Sequence, residues 1–207
     1  NIGAAFARCI ASGDAARAAS IAVPMWEYGF MRMNDQCFRW AERLFATFTG
    51  RDQEALVAPA IGVAALGAWI RDDLVDAYEW SQRALRLERE LDLEFDLPAR
   101  LALINATVYS GDGAPPPEIF AEQAEFQRAR PELYFHVNVD TQMSVMSTWL
   151  GDREAAERRA LRAVTLARQS QNPSSLAYAL WALGTAIEAD DPLRAESLLG
   201  TALDTAP

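Results

Sequence analysis

The chain has 207 residues, of which 51% are hydrophobic, and it carries a formal net charge of −10. This length fits one large domain or two small ones with an extensive core. A phosphate backbone needs a basic footprint, so the charge argues against direct nucleic-acid binding by this segment and against an anionic membrane surface. The two cysteines, Cys9 and Cys37, are too few for a disulfide framework and have no metal-binding spacing.

The predicted elements are helices throughout. Ala, Leu, Glu and Arg dominate the composition and favour helices, and no stretch alternates apolar and polar residues as a half-buried strand does. The first predicted helix spans about 2–11 and ends at the turn 12–14. The second continues to about Met33 and contains Pro24, which either kinks or divides it. The pair Asn34-Asp35 then caps the third helix.

Four further helix pairs are predicted after the third helix. They span about 53–91, 99–129, 133–170 and 174–205. Pro59 is a candidate for a helix start, because proline is tolerated in the first turn, and Ser174 has the character of an N-cap. The turn at 111–117 holds three consecutive prolines, which favour extended backbone. In all, the sequence predicts about eleven helices, as five hairpins plus an N-terminal helix.

A spacing of about 40 residues runs through these hairpins. Compact residues open each second helix at positions 40, 40, 39 and 39 residues apart, namely Cys37, Ala77, Pro117, Ala156 and Ala195. Seven residues after each of them stand Leu44, Ala84, Ala124, Ala163 and Ala202. Such a period with helix–turn–helix content is typical of stacked repeats. We therefore expect an all-α fold, an α-solenoid of stacked antiparallel helix hairpins with a period of 39–40 residues.

The form of these hairpins resembles a known repeat family. A Gly-Asp turn followed by a compact residue, and another seven positions on, is similar to the second helix of a tetratricopeptide repeat (TPR), although that repeat has about 34 residues. The stretches 11–18 (ASGDAARA) and 38–44 (FRWAERL) resemble the C-terminal helical arrays of large bacterial signalling ATPases. These include LuxR-type regulators of the maltose-activator kind and adenylate-cyclase-linked proteins. The resemblance implies a sensor or scaffold beside an ATPase module and brings no catalytic residue.

Two motifs could carry chemistry, and a structural role is favoured for both. The sequence DDLVD at 72–76 matches the DDxxD motif of terpenoid synthases, but no second metal motif accompanies it, and helix capping at a repeat turn explains it as well. His136 is the only histidine. A zinc site would need further Cys or His ligands, and no G-x-S-x-G nucleophile turn is present for a triad. We expect no catalytic residue, metal site or cofactor.

Aromatic residues recur with the same period. The first column lies at the ends of first helices, with spacings of 39, 40 and 40 residues: Phe30, Trp69, Tyr109 and Trp149. These four are the candidate partner-binding residues, because first helices line the concave face of such arrays and aromatic side chains anchor peptides. A second column comprises Trp40, Trp80 and Phe120. The alternative is that both columns fill space between layers, an interpretation favoured most for the second column.

These observations favour a non-enzymatic interaction or sensor domain over two alternatives, an enzyme inside a helical array and a purely architectural arm. The expected partner is a protein or peptide, with a small-molecule effector as an alternative. No apolar run approaches the ~20 residues of a membrane span, and we expect a cytoplasmic location. Residues 1–207 are expected to form a single repeat domain. Because the chain starts at Asn1, we expect it to be a piece of a longer polypeptide.

Overall fold

The computed structural model describes residues 1–32, 34–94, 96–111 and 117–206, and it describes only the backbone of residues 117, 120, 124, 127 and 128. Within these ranges the chain forms twelve α-helices, two 3-10 helices (Val23–Met25 and Arg51–Gln53) and no strand. The α-helices are α1 (Ile2–Ala11), α2 (Ala15–Ala22), α3 (Trp26–Met31), α4 (Asp35–Thr47), α5 (Glu54–Ile70), α6 (Leu74–Glu90), α7 (Leu97–Ser110), α8 (Pro117–Ala129), α9 (Leu133–Trp149), α10 (Arg153–Ser170), α11 (Pro173–Ile187) and α12 (Pro192–Thr205). The all-helical prediction is confirmed.

Each of the eleven predicted helices has a counterpart, and the number rises to twelve because Pro24 divides the second. The chain passes from α2 through the 3-10 helix Val23–Met25 into α3. A proline removes one backbone donor and crowds the preceding turn, which favours this tighter geometry. The predicted turn at 111–117 lies outside the described residues except for Gly111 and the backbone of Pro117.

Helix α5 begins at Glu54, in agreement with the predicted start at about residue 53. It encloses Pro59, so the alternative start at that proline was wrong, and the predicted N-cap Ser174 was wrong as well. The lost hydrogen bond is tolerated because α5 is buried along most of its length. At α11 the N-cap is Asn172, whose Oδ1 accepts the N–H of Ser175 at 3.2 Å. Pro173 occupies the first turn, the position that suits its missing N–H, so Ser174 lies inside the helix.

A turn of the predicted Gly-Asp kind occurs three times with the same backbone conformation. A residue with positive φ is followed by an aspartate that caps the next helix, in the pairs Gly13-Asp14, Asp72-Asp73 and Gly151-Asp152. The φ angles are 75°, 64° and 80°. In each pair the carboxylate accepts a backbone N–H three residues on, at 3.0–3.1 Å. Glycine suits the left-handed position, and aspartate is one of the few other residues that tolerate it.

The contacts of the chain group into two units, Asn1–Pro115 and Pro116–Pro207. In the first unit α5 is the central helix, since α2, α4, α6 and α7 all pack against it. Every residue from 60 to 68 is buried, and this stretch is mostly alanine and glycine. Gly67 illustrates why small residues are needed in this stretch. A Cβ at this position would meet Cγ of Phe38 at 2.7 Å, so only glycine lets α4 approach so closely.

In the second unit α9 and α11 both pack against α10, α9 also packs against α11, and α12 covers α11. One core cluster joins these helices and includes Val137, Ala160, Val164, Leu180 and Leu183. Residues 139–146 of α9 are all buried, so this helix has no exposed face over its middle turns. The unit is therefore built around α9 and α11, and α10 contacts both of them.

The compact residues of the repeat are buried, as their spacing predicts. Those at the start of each second helix are at most 2% exposed, namely Cys37, Ala77, Ala156 and Ala195. Those seven positions on are at most 7% exposed, namely Leu44, Ala84, Ala163 and Ala202. The side chains of Pro117 and Ala124 lie outside the described residues. At Ala156 the helices α9 and α10 are in direct contact, because its carbonyl accepts a hydrogen bond from the Ser144 hydroxyl of α9 at 2.8 Å.

One helical stretch of the described chain, Arg51–Ile70, is long and apolar enough by length and composition to cross a membrane, with a mean hydropathy of 1.4. The expectation that no apolar run approaches that length therefore needs correction. Of its most apolar window, 61% is buried inside the protein. A core helix surrounded by other helices has the same composition as a membrane span, and α5 occupies such a position.

Candidate functional site

Three of the four first-column aromatics form a continuous row in the first unit. The rings of Phe30 and Trp69 are stacked, with centroids 6.5 Å apart and planes inclined by 23°. Trp69 and Tyr109 follow at 6.0 Å and 52°. Both separations lie in the range of favourable aromatic pairs. We call Phe30, Trp69 and Tyr109 the aromatic ladder.

The ladder is anchored on the core and reaches solvent at one end. Trp69 is partly buried and packs with Trp80 against Ala68, Ala77 and Ala106. Tyr109, in contrast, is 48% exposed, and partial burial raises the pKa of its hydroxyl. The ladder residues stand in the last turns of α3, α5 and α7. The middle turns of α5 and α7 are buried, so the helix ends are where these helices offer aromatic surface.

An ion-pair network stands next to the ladder, because Arg71 follows Trp69 by two residues. Its Nη1 donates to Asp35 Oδ1 at 2.7 Å, and its Nη2 donates to Glu42. Arg39 bonds the same two carboxylates, each at 3.0 Å. Although partial burial opposes it, hydrogen bonds from Arg71 and Arg39 lower the pKa of Asp35. The network joins α4 to Arg71, the C-cap of α5. It therefore holds the end of the helix that carries Trp69.

Glu27 is a carboxylate on the same helix as the ladder residue Phe30. It lies one helical turn before Phe30 on α3, a spacing that places both residues on one face. It is half-buried, and burial raises the pKa of its side chain. Within the described part of the chain, Glu27 has no ion-pair partner.

The fourth predicted residue, Trp149, belongs to the second unit. It is the last residue of α9 and is 41% exposed, and the neighbouring Leu150 is 45% exposed. The structure thus joins three of the predicted site residues by ring contacts and presents the fourth on the surface of its own unit.

The second aromatic column is engaged in packing. Trp40 stacks on Phe6 of α1 with ring centroids 5.3 Å apart, and Trp80 meets Phe45 of α4 edge-on at 5.2 Å. The side chain of Phe120 lies outside the described residues. The contact of Trp80 joins the successive second helices α4 and α6, and that of Trp40 joins α4 to the N-terminal helix α1. Both agree with the prediction that this column fills space between layers.

The two motifs that could carry chemistry have structural partners. Asp73 caps α6 by accepting the N–H of Asp76, while Asp72 occupies the left-handed turn position. Burial, together with the charges of Asp73 and Glu79, raises the pKa of Asp76. His136 is bonded through Nε2 to the carbonyl of Arg130. In the described residues, no three His, Cys, Asp or Glu side chains are grouped so that they could hold a metal ion.

Two polar features escaped sequence reasoning. A cleft of about 630 Å³ runs along α6, lined among the described residues by Tyr78, Trp80, Arg83, Arg86, Glu79 and Gln82. In the second unit, the buried Asp140 forms ion pairs with two arginines of α10. Its Oδ2 lies 3.1 Å from Nε of Arg162, and its Oδ1 lies 3.8 Å from Nη1 of Arg159. The sequence could have indicated the cleft, because the spacing of Arg83 and Arg86 puts them on one face of a helix. It could not have indicated the ion pairs of Asp140, because a lone aspartate within an apolar helix does not reveal its partners.

The chain matches no known protein-family model, and a search of curated proteins found no match either. The site must therefore be interpreted from its own geometry.

Proposed function

We propose that this chain is a TPR-like α-solenoid that serves as a non-enzymatic interaction or ligand-sensing domain, with the aromatic ladder as its binding surface. The ring contacts of Phe30, Trp69 and Tyr109 carry the proposal, because a row of partly exposed aromatics is the kind of surface that anchors a peptide. In the second unit, Trp149 is proposed separately as a partner-binding residue, because it is 41% exposed.

The packing within each unit supports the solenoid part of this proposal. In the first unit α5 contacts both its own partner α6 and the next first helix α7. In the second unit α9 contacts α10 and α11 in the same manner. Buried compact residues at a regular spacing are what such stacking requires. A role within a larger bacterial signalling or transcription-regulatory protein follows from the resemblance of residues 11–18 and 38–44 and is part of the proposal.

The charge of the chain favours a particular kind of partner. With a formal net charge of −10, the chain attracts basic surfaces over long range. Glu27 adds a half-buried carboxylate one turn from Phe30. A basic or neutral peptide is therefore the expected partner, and a small cationic effector is the alternative that uses the same two features.

A random-peptide display selection against the whole chain tests the proposal, because the selection itself supplies the ligands. Peptides selected on the wild type should bind Trp69→Ala and Tyr109→Ser more than about tenfold more weakly. Tyr28→Ala is the matched control, because Tyr28 is 51% exposed on α3 and is not a ladder residue. Selected peptides that bind all variants equally would place the site elsewhere.

An architectural arm is the second candidate function, and one observation favours it. The middle turns of α5, α7 and α9 are buried on every face, which leaves little open surface on the first helices. The same selection discriminates between the two. An arm without a binding surface would yield no peptides that depend on the ladder.

A further inference from the structure

One aspartate cap differs from the other aspartate caps of the described chain, because it is buried. Helices α2, α6, α10 and α12 begin at aspartates that are at least partly exposed, namely Asp14, Asp73, Asp152 and Asp191. Asp96, which caps α7, is only 8% exposed. A carboxylate that loses its water needs partners that compensate the charge, and without them it keeps a proton.

The two carboxyl oxygens of Asp96 differ in their partners. Oδ1 accepts the N–H of Ala99 at 3.2 Å. Oδ2 is buried and has no hydrogen-bond partner among the described residues. It lies toward Gly62 of α5, since a Cβ at that position would meet this oxygen first. Burial accordingly raises the pKa of Asp96 to about 7, although the Ala99 N–H opposes the shift.

The charged groups around Asp96 leave its carboxyl group poorly compensated. Glu88 of α6 accepts the N–H of Asp96 at 2.8 Å, so a second carboxylate stands close by. Arg100 donates two hydrogen bonds of 2.7 Å to Glu88 and one of 3.1 Å to the main-chain carbonyl of Asp96. The only charged residue of α5 is Glu54, about two turns before the contact with Asp96. The charged residues between Glu88 and Asp96 are all exposed, at positions 89, 90, 92 and 94.

The first turn of α7 is the part of the structure that depends on this cap. Residues 97–99 are all buried, and α7 packs against both α5 and α6. An ionised Asp96 would place a charge in this interior, with one oxygen uncompensated. It can regain water only when the turn moves away from Gly62, which would uncover the apolar residues that follow the cap.

We propose that Asp96 is a proton-operated latch, which in its protonated form holds the first turn of α7 against α5 and in its ionised form lets that turn open locally. The rest of the first unit stays folded in the open form. Between the ordinary pKa of 3.8 and the folded pKa of about 7, the closed form keeps a proton that the open form loses. Opening therefore becomes more frequent as the pH rises through this range, and it changes little above it.

Hydrogen exchange of backbone amides in the full chain tests the latch. From about pH 5 to about pH 8, opening at residues 99–103 should become at least about tenfold more frequent, after correction for the intrinsic pH dependence of exchange. The internal control is the first turn of α10. Its cap Asp152 accepts the N–H of Ala155 at 3.0 Å but is exposed. Opening at residues 155–159 should change less than about twofold.

Two variants assign the effect to the carboxyl group. Asp96→Asn keeps an acceptor for the Ala99 N–H and cannot ionise, so it should abolish the pH dependence at α7. Glu88→Gln keeps an acceptor for Arg100 but removes the neighbouring negative charge. The rise in opening should then occur at lower pH, because Arg100 would favour the ionised form of Asp96. Circular dichroism at about pH 5 verifies the fold of both variants, and Glu88→Gln keeps the test valid if Asp96→Asn does not fold.

Three results would overturn the proposal. Exchange at residues 99–103 that does not depend on pH would show that the turn stays closed when Asp96 ionises. An equal rise at α7 and α10 would show a loss of overall stability in place of a local opening. A pH dependence that neither variant alters would assign the opening to another group.

Discussion

Gly62 of α5 leaves the space in which the carboxyl group of Asp96 lies. A Cβ at position 62 would meet Asp96 Cγ at 2.7 Å, closer than real carbon atoms approach. Asp96 caps α7 through the N–H of Ala99 at 3.2 Å, and its own N–H donates to Glu88 at 2.8 Å. Glu88 in turn holds Arg100 by two hydrogen bonds of 2.7 Å. A glycine in one helix thus sets the position of the cap of another.

The first prediction follows from this contact. Gly62→Ala should destabilise the protein by ~1–3 kcal/mol, the usual cost of forcing atoms into a filled site. For a net loss of stability, the overpacking cost must exceed the ~1 kcal/mol by which alanine is favoured over glycine in a helix interior. Gly200→Ala on α12 is the control, because its Cβ would meet nothing within 4 Å. Urea unfolding should show a loss of stability at 62 and a small gain at 200. A gain at both would mean that the cap of α7 moves freely.

The second prediction concerns pH. Burial, with a contribution from the charge of Glu88, raises the pKa of Asp96 from 3.8 to about 7, although the Ala99 N–H opposes the shift. Between these two values the folded state keeps a proton that the unfolded state has lost. The contribution to stability is therefore full below the unfolded pKa and is lost as pH rises through the folded one.

At about 1.4 kcal/mol per pKa unit, the loss from Asp96 approaches ~4 kcal/mol as an upper bound. Asp96→Asn keeps an acceptor for the Ala99 N–H and stays neutral, so it should remove this pH dependence. The measurement is urea unfolding of both proteins at intervals from acid to mildly alkaline pH. Two parallel stability profiles would show that Asp96 ionises normally.

The third prediction tests the repeat register. Ala156 is fully buried at the start of α10, where its carbonyl accepts the hydroxyl of Ser144. Ala156→Leu should therefore cost ~1–3 kcal/mol by overpacking. Ala16→Leu, at an exposed helical position of α2, should change the free energy of unfolding by less than ~0.5 kcal/mol. Equal stability of the two variants would mean that the α9–α10 contact can open without cost.

The fourth prediction concerns function. Trp69→Ala and Trp149→Ala should weaken partner binding by ~2 kcal/mol or more, as aromatic hot spots do, with the helical content unchanged by circular dichroism. Basic or neutral peptides isolated on the wild type serve as ligands, and Tyr28→Ala serves as the control. Normal binding by both variants would place the site elsewhere. Loss of helical content in both would show that these tryptophans are structural.

Local signals accounted for most of the secondary structure. The Gly-Asp turns and aspartate caps were predicted because a cap needs only residues that are neighbours in sequence. The burial of Ala77 and Ala156 was predicted because a regular spacing reports which face repeats. Ring contacts among Phe30, Trp69 and Tyr109 follow from the same period. Whether those residues bind a partner stays a prediction.

The remaining features depend on residues that are distant in sequence. The burial of Asp96 depends on a glycine 34 positions earlier and on Glu88, and no pattern links the three. Pro59 was a poor guide to a helix start because packing on several sides outweighed one missing hydrogen bond.

The central position of α5 has a consequence for synthesis. This apolar helix is made before α6 and α7, so while it leaves the ribosome only α2 and α4 among its main described neighbours exist to cover it. Until residue 110 has emerged, a nascent segment with the hydropathy of a membrane span stays partly unprotected. Chaperones and aggregation compete for such segments. A chain truncated before α7 would remain in that state, and it should precipitate even though most of its first unit has been made.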